Sequence, residues 1–377
     1  MGENMLKKML YMNKFYKVLM SFFLLLSVNG DLFAVDVWNG DAVVWTKGSG
    51  TKESPYLIET AENLAYLAKF VNEGHSTAGL YFSQTQDLDM DSLSWTPIGN
   101  SPCPFLGNYD GQTYRIDKVH ISSPIVKYAG LFGHIKDASI KNVSLSISME
   151  SVAYTYCGGF SAYAKGKNTI SGCLFQGYVS CTSSNQYNFS GGYVGYSNGE
   201  LVIENCYASG KVSASGGTTN RIGGFVANVH SNGILTIKSC VFDGEVLLES
   251  GKGFCTIGGF VGSNFTSLAI EESFSSGKVS TGDAKECRVG GFVGDNGNNT
   301  VESKITMKSC TFDGEIFSES EVENCLIAGC LGNNFGELIV ENSSVSGKIF
   351  TYQGVVSNWT AGFLGANQLT GTINIKS

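Results

Sequence analysis

Apolar and polar residues alternate in short stretches along most of this chain, and the stretches recur at a regular spacing. A pair of small residues, Gly-Gly or Ala-Gly, stands before an apolar residue in each unit, and successive pairs are 29 to 38 residues apart. The pairs are Ala129-Gly130, Gly158-Gly159, Gly191-Gly192, Gly223-Gly224, Gly258-Gly259, Gly290-Gly291, Ala328-Gly329 and Ala361-Gly362. A period in this range indicates a repeat architecture, in which each unit completes its core by stacking on its neighbours.

Each repeat contains three short stretches with strand character. In one of them an apolar residue lies three positions before a Cys or Ser, as Ile203 lies before Cys206, and this alternation predicts a half-buried strand. Two polar residues, such as Glu204-Asn205, then break the alternation and predict a corner. The strand after the Gly pair ends in Asn at four equivalent positions, where stacked amides can form a ladder. These are Asn264, Asn296, Asn334 and Asn367.

Three strands and three turns in roughly 33 residues leave no room for a crossover helix, so parallel strands one repeat apart must pair directly. We therefore predict an all-β fold, a right-handed parallel β-helix of about eight turns with three short strands per turn. The repeating charges support this register, because one residue per repeat alternates in sign. The series is Lys211, Glu245, Lys278, Glu315 and Lys348, and a second one is Glu204, Lys238, Glu271, Lys308 and Glu341. Large and small apolar residues alternate as well, so the true repeat is expected to be a pair of turns.

The two ends of the chain differ from the repeats. Residues 1–34 have the basic start and 11-residue apolar run of a secretory signal peptide, with Ala34 at the expected cleavage point. Residues 35–128 are expected to form an N-terminal cap and the first irregular turns, including an amphipathic helix from Thr60 to Asn72 with Thr60 as its N-cap. Residues 129–377 hold the repeats, and we expect further chain or a partner to cover the C-terminal edge.

Composition excludes several classes of protein. With 48 Gly and 42% apolar residues, the chain does not have the composition of a disordered protein. Removal of residues 1–34 takes away four Lys and two acidic residues and changes the net charge from −8 to −10, which argues against nucleic-acid binding. The remaining chain has no run of 18 apolar residues, so it is not expected to span a membrane.

The 11 cysteines fall mostly at two repeat positions. One position holds Cys173, Cys206, Cys240 and Cys310, and the other holds Cys255, Cys287 and Cys325. Stacked neighbours about 4.8 Å apart are within the range of a disulfide, but parallel side chains fit one poorly. We expect free thiols that act as small buried apolar groups.

These residues resemble the GLUG-motif repeat family of bacterial secreted and surface proteins. The resemblance is carried by Gly130-Leu131-Phe132-Gly133, by variants such as Gly259-Phe260-Val261-Gly262, and by the lead-in Trp95-Thr96-Pro97-Ile98-Gly99. It covers about residues 45–377 and implies an exported β-helical surface module with no common reaction. Some relatives carry the module beside an immunoglobulin-cleaving metallopeptidase, which needs a His-Glu-x-x-His helix. The four histidines of this chain form no such motif.

The variable loops between strands are the expected place for recognition, because a rigid scaffold presents its loops. Four aromatic residues lie in or beside them and are our candidate binding residues: Tyr187, Phe189, Tyr352 and Trp359. They can stack on sugar rings or on a partner's surface, and the alternative is that they pack on the flank of the coil. The expected partner is a glycan or protein on a host or bacterial surface.

Two carboxylate groupings are weaker candidates. Asp87, Asp89 and Asp91 alternate, so on one strand they would share a face and could hold calcium; the alternative is a solvated strand of the cap. Asp243 and Asp313 lie on equivalent strands two turns apart, as the carboxylates of a polysaccharide-cleaving β-helix enzyme could. We assign no catalytic residue and expect no cofactor and no bound metal.

The sequence thus predicts an exported, non-catalytic surface scaffold, adhesin-like, that presents variable loops for recognition. Secretion or attachment at the cell surface is the expected location. Two alternatives stay open: a β-helix polysaccharide lyase or hydrolase, and a structural segment of a longer surface fibre.

Overall fold

The computed structural model describes residues 37–122, 127–151, 155–183, 187–251, 253–298, 300–318, 324–351, 358–368 and 370–376. The predicted signal peptide and Tyr352 lie outside the described residues. All named strands pair in parallel and form three sheets, so the predicted parallel β-helix is confirmed. We call one turn of the coil a rung.

Sheet 1 has 17 strands. They are Tyr56–Ile58, Tyr81–Gln84, Asn108–Asp110, Phe132–Lys136, Ser139–Lys141, Ser161–Ser171, Val194–Glu204, Val226–Val229, Ile234–Lys238, Val261–Asn264, Ser267–Glu271, Val293–Asn296, Lys304–Lys308, Leu331–Asn334, Glu337–Glu341, Leu364–Asn367 and Thr372–Lys376. The sheet runs from the cap into the repeats, so both parts share one hydrogen-bonded stack.

Sheet 2 has eight strands, one for each Gly pair. They are Tyr128–Ala129, Thr155–Gly158, Tyr187–Gly191, Thr219–Gly223, Phe254–Gly258, Glu286–Gly290, Asn324–Ala328 and Asn358–Ala361. Among the described residues, these eight stacked strands enclose seven full turns, close to the predicted count of about eight.

Sheet 3 has 14 strands. They are Leu88–Asp89, Arg115–Ile121, Ser144–Ser151, Leu174–Ser183, Tyr207–Ala208, Lys211–Gly216, Val241–Phe242, Glu245–Gly251, Phe274–Ser275, Lys278–Ser280, Thr311–Phe312, Glu315–Ser318, Ser344–Val345 and Lys348–Thr351. The predicted polar corner separates sheet 1 from sheet 3, and its second residue adopts a left-handed backbone, as Asn205 does at φ 53° and Asn342 at φ 49°.

The predicted charge register is present on sheet 3. Lys211 lies opposite Glu245, which in turn lies opposite Lys278. The Nζ of Lys278 is 3.4 Å from Oε1 of Glu245, whereas the Nζ of Lys211 lies 3.5 Å from Oε1 of Glu249. The second series is also in register, with Lys238 opposite Glu271. Such exposed pairs contribute little stability each, so the ladder acts mainly against a slipped register.

The interior is filled by stacked rings and by rungs of alternating size. Phe160, Tyr193, Phe225, Phe260 and Phe292 form an inner column, with ring centroids 4.8–5.0 Å apart. On sheet 3 the neighbours of Phe242 are the small residues Ala208 and Ser275. The ring of Phe242 occupies the space beside Gly224 and Gly277, where an added Cβ would overlap it. Large side chains on one rung therefore use the space left on the rungs beside it.

The helix α1, Ala61–Asn72, confirms the predicted cap element. The side chain of Thr60 accepts a hydrogen bond from the backbone N–H of Asn63 at 3.3 Å, as an N-cap does. The apolar face of the helix, with Leu64, Leu67 and Val71, is fully buried and belongs to the same core as the first strands. The helix thus covers apolar surface at the N-terminal end of the coil.

The expectation of free thiols throughout is wrong at one place. Cys255 and Cys287, on adjacent strands of sheet 2, form a disulfide with a Cα–Cα distance of 4.8 Å. The spacing between rungs equals a normal disulfide span, and here the two side chains also meet. Cys325 is in register on the next rung and forms no disulfide, and neither does the column of Cys173, Cys206, Cys240 and Cys310.

Candidate functional site

At successive Gly-pair corners from Tyr156 to Asp295, side chains on the outer faces of sheets 1 and 2 contact each other, so the corner is re-entrant there. The two residues that meet are seven positions apart in most rungs. The meeting is direct: the hydroxyl oxygens of Thr256 and Ser263 are 2.7 Å apart, and the ring centroids of Tyr156 and Tyr163 are 5.7 Å apart. Glycine is required here because a Cβ on Gly259 would overlap the backbone carbonyl of Gly291. The result is a furrow along the coil.

We call this furrow the corner groove and define it by its two columns of outward residues. The sheet 2 column is Tyr128, Tyr156, Phe189, Arg221, Thr256, Arg288, Leu326 and Trp359. The sheet 1 column is His134, Tyr163, Tyr196, Asn228, Ser263, Asp295, Asn333 and Ala366. Strand pairing therefore lines up residues that are 28 to 38 positions apart in sequence.

The N-terminal half of the corner groove is aromatic. Tyr156 stacks on Phe189 at 5.4 Å, and Phe189 stacks on Tyr187 at 6.1 Å. On the facing column the rings of Tyr163 and Tyr196 stack at 5.4 Å. Burial, with the charges of the neighbouring tyrosines, raises the pKa of Tyr196 to about 12, so its hydroxyl stays protonated at neutral pH. This half presents the edges of stacked rings and the hydroxyl groups of its tyrosines.

The next rungs replace the rings by charged and polar groups. Arg221 Nη1 donates to Asn228 Oδ1 at 2.5 Å, and two rungs further along Arg288 Nη1 donates to Asp295 Oδ2 at 2.6 Å. Asp295 is almost fully buried, and its other oxygen accepts a hydrogen bond from Asn333 at 2.9 Å. Burial raises the pKa of Asp295, and the charge of Arg288 opposes that rise.

Between the two arginines lies a notch of about 300 Å³. The column residues of the middle rung, Thr256 and Ser263, are small and fully buried. Arg221 and Arg288 bound the notch, together with the rings of Phe254 and Phe265 from the middle rung. Its volume is at the low end of the range for small-ligand sites.

The candidate binding residues have different environments. Tyr187 and Trp359 are 48% and 63% exposed, and both lie beside the corner groove or in it. Phe189 is only 6% exposed, which agrees with the stated alternative that it packs on the flank of the coil. The stacked rings of Tyr156 and Tyr187 and the guanidinium of Arg221 cover it.

The three cap aspartates do not share one strand. Only Asp89 belongs to Leu88–Asp89, and Asp91 lies beyond it in a left-handed turn at φ 50°. Asp87 pairs with Arg115 at 3.0 Å and Asp89 with Lys118 at 2.5 Å. Burial acts to raise the pKa of Asp89, but hydrogen bonds from Lys118 and the Asp91 backbone lower it overall. Across the described ranges, no group of three His, Cys, Asp or Glu is placed to hold a metal ion.

The carboxylates considered for an enzyme were expected on strands, but each directly follows a short strand of sheet 3, away from the corner groove. Asp243 accepts a hydrogen bond from Ser276 at 2.8 Å, and Asp313 accepts one from Ser346 at 2.9 Å. Each contact joins adjacent rungs, so these side chains reinforce the stack.

Sequence reasoning missed the arginines and the facing tyrosines of the corner groove. These residues can be identified in the sequence only by their position, because each precedes or follows a Gly pair at a fixed distance. Aligning the repeats on the pair and comparing the residues seven positions apart would have found the columns.

No family model matches the chain. Over 117 residues it is 36% identical to a protein of Evansella cellulosilytica named "Putative Gly-rich membrane protein". The match covers 29% of this chain, and the chain spans 13% of the length of that relative. Within the residues that the structure describes, no helix has the length and apolar character needed to cross a bilayer.

A solved structure shares the fold. It is a crystal structure described as "a putative immunoglobulin A1 protease from Bacteroides ovatus", with a TM-score of 0.58 and 21% identity. The alignment covers 74% of this chain and 80% of that one. At this identity the likeness shows a common β-helical architecture.

Proposed function

We propose that this chain is a non-catalytic scaffold outside the cell, and that it binds carbohydrate along the corner groove. The observation that carries the proposal is the continuous aromatic surface of Tyr128, Tyr156, Tyr163, Tyr187 and Tyr196, which follows the length of several rungs. The exposed parts of these rings can pack against the C–H groups of sugars, and phenolic hydroxyls bond sugar hydroxyls. A long groove on a rigid coil suits a chain-like ligand.

The resemblance to the GLUG-motif family and the signal-like residues 1–34 support an exported location. The name of the Evansella cellulosilytica relative places that protein at a membrane, which agrees with function at the cell surface. In the GLUG-motif family the module occurs beside other domains, which agrees with a scaffold that presents binding surfaces.

A non-catalytic role is supported by the state of the groove carboxylate. Asp295 is the charged acid of the two columns, and Arg288 and Asn333 occupy both of its oxygens. A general acid or base must reach the substrate proton within hydrogen-bonding distance. The arrangement of Asp295 therefore fits a structural ion pair better than a proton-transfer group.

The test is binding of the purified full chain to a panel of neutral and acidic oligosaccharides, measured by calorimetry. Tyr163→Ala and Tyr196→Ala are expected to weaken binding about tenfold or more, because each removes aromatic surface and a hydroxyl group from the groove. Phe350→Ala is the matched control, since Phe350 is exposed and stacks on Phe317 at 4.8 Å on sheet 3, outside the groove.

Chromatography of each oligosaccharide after incubation with the protein distinguishes carbohydrate binding from polysaccharide cleavage. Unchanged ligand supports the binding role. Shortened products that disappear in the Asp295→Asn variant would establish the polysaccharide-cleaving alternative instead. Binding that is equally insensitive to the groove and control substitutions would contradict the groove as the site.

A further inference from the structure

Two arginines occupy equivalent positions in the corner groove but have different partners. Arg288 is matched by the carboxylate of Asp295, whereas Arg221 faces the uncharged amide of Asn228 at the same distance along the chain. The two hydrogen bonds have nearly equal lengths, 2.6 Å for Arg288 and 2.5 Å for Arg221. The contact geometry is therefore the same in both rungs, but only Arg288 has a negatively charged partner. Arg221 is therefore a cation whose direct partner carries no charge.

The surroundings of Arg221 make this charge costly. Its guanidinium lies 5.4 Å from the ring centroid of Phe189 and 4.7 Å from that of Phe265, and its buried Nε has no hydrogen-bond partner. Burial lowers the pKa of Arg221, and the charge of Asp295, which acts against that effect, is already engaged by Arg288. An isolated cation between rings is stabilised when an anion approaches it.

The notch gives an anion access to this cation. Phe254 and Phe265, both half-buried, form its walls on the rung between the arginines. Arg288 lies 4.6 Å from the centroid of Phe254 and closes the far side, with its charge shared by Asp295 and, at 3.9 Å, by Glu286. The notch thus combines aromatic walls with one unneutralised guanidinium.

We propose that this notch binds an acidic sugar residue of a glycan, with the anionic substituent on Arg221 and the ring against Phe254 and Phe265. The inference rests on the proposed carbohydrate-binding function and names the ligand class of that groove. A carboxylate accepts two parallel N–H bonds from a guanidinium, and a sulfate presents the same geometry. A uronate and a sulfated sugar therefore share the required chemistry.

The experiment uses the full chain in calorimetry with three probes: an oligogalacturonate, its methyl ester, and a sulfated galactan oligosaccharide. The central variant is Asn228→Asp. Its new carboxylate should pair with Arg221 as Asp295 pairs with Arg288, so that the protein itself neutralises Arg221. We expect it to weaken binding of the acidic probes about tenfold or more and to raise the melting temperature. Arg221→Gln should weaken the same probes.

The reciprocal variant, Asp295→Asn, is the matched control for the swap. It frees Arg288 in a notch that is otherwise unchanged, and we expect it to strengthen binding of the acidic probes. Lys304→Gln removes a cation on sheet 1 that pairs with Glu337 outside the groove, and it should change nothing.

The outcomes separate this inference from the function on which it rests. Preference for the acid over its ester, lost in Asn228→Asp, supports the acidic-sugar site, and the sulfated probe shows which substituent is preferred. Equal binding of acid and ester with sensitivity to Tyr196→Ala would overturn the acidic-sugar inference and leave the groove function standing. Acid binding unaffected by Asn228→Asp would also overturn it. Absence of binding to every probe would overturn both.

Discussion

Asn264 donates its side-chain amide to the side-chain oxygen of Asn296 on the next rung, at 2.9 Å. Asn296 makes the same bond to Asn334 at 2.8 Å, and Asn334 to Asn367 at 2.8 Å. The ladder predicted from sequence is thus present at the end of the strand that follows each of the last four Gly pairs. Its polar atoms are satisfied by one another and by backbone groups such as the carbonyls of Thr266 and Gly336, although Asn264, Asn296 and Asn334 are fully buried.

Asn296→Ala should therefore lower the free energy of unfolding by about 1–3 kcal/mol, because it removes two ladder bonds and leaves Asn264 Nδ2 without one acceptor. Asn367→Ala at the exposed end of the ladder is the control and should cost less. Urea denaturation followed by circular dichroism measures both. Equal losses in the two variants would contradict a cooperative buried ladder.

Gly224 and Gly362 occupy the same position of two Gly pairs but have opposite surroundings. A Cβ on Gly224 would overlap the Gly259 carbonyl oxygen and the Phe242 ring, whereas a Cβ on Gly362 has no atom within 4 Å. Gly224→Ala should destabilise the protein by about 1–3 kcal/mol through overpacking, and Gly362→Ala should be nearly neutral. Thermal melts of both variants test this, and a neutral Gly224→Ala would argue against the tight corner.

Cys287 has a cysteine in register on each side, Cys255 and Cys325. In Cys255→Ala we expect a Cys287–Cys325 disulfide to form instead, because stacked strands repeat the same spacing. Non-reducing peptide mapping by mass spectrometry identifies the bond, and Cys325→Ala, which keeps the original pair, is the control. A variant that retains two free thiols would show that the fit is particular to Cys255. Removing both Cys255 and Cys325 should cost about 3 kcal/mol of stability.

His134 is buried between Tyr128 and Tyr163, and burial lowers its pKa to about 4. Between pH 4 and 6.5 the unfolded chain then binds a proton at this site that the folded chain does not. Stability should rise with pH through this window, by up to about 3 kcal/mol from this group. His134→Gln should flatten the slope of unfolding free energy against pH. An unchanged slope would mean that the imidazole is solvated.

The fold could be predicted from sequence because the same pattern of charged, polar and apolar residues recurs in every repeat. The sign changes from Lys211 to Lys348 and the asparagines from Asn264 to Asn367 fix which residues pair, whichever local propensity each strand has. The cap helix was found from its N-cap, Thr60, and from the apolar spacing of its residues.

The candidate site was harder to predict because periodicity does not give the angle of a corner. Arg221 and Asn228 both point outward, and they touch only because the Gly-pair corner is re-entrant. Phe189, a candidate binding residue, is covered by Tyr156 of the adjacent rung and by Tyr187 of its own strand, which periodicity does not show either. The Cys255–Cys287 disulfide could not be predicted either, because the repeat spacing gives the distance between the two cysteines but not the orientation of their side chains.

The alternation of Lys211, Glu245 and Lys278 along sheet 3 restricts how this gene can evolve in length. Unequal recombination that deleted a single coil would bring two lysines or two glutamates together and would also misalign Phe242 with its small neighbours. Loss or gain of two coils preserves both patterns. Homologues of different length should therefore differ by an even number of coils.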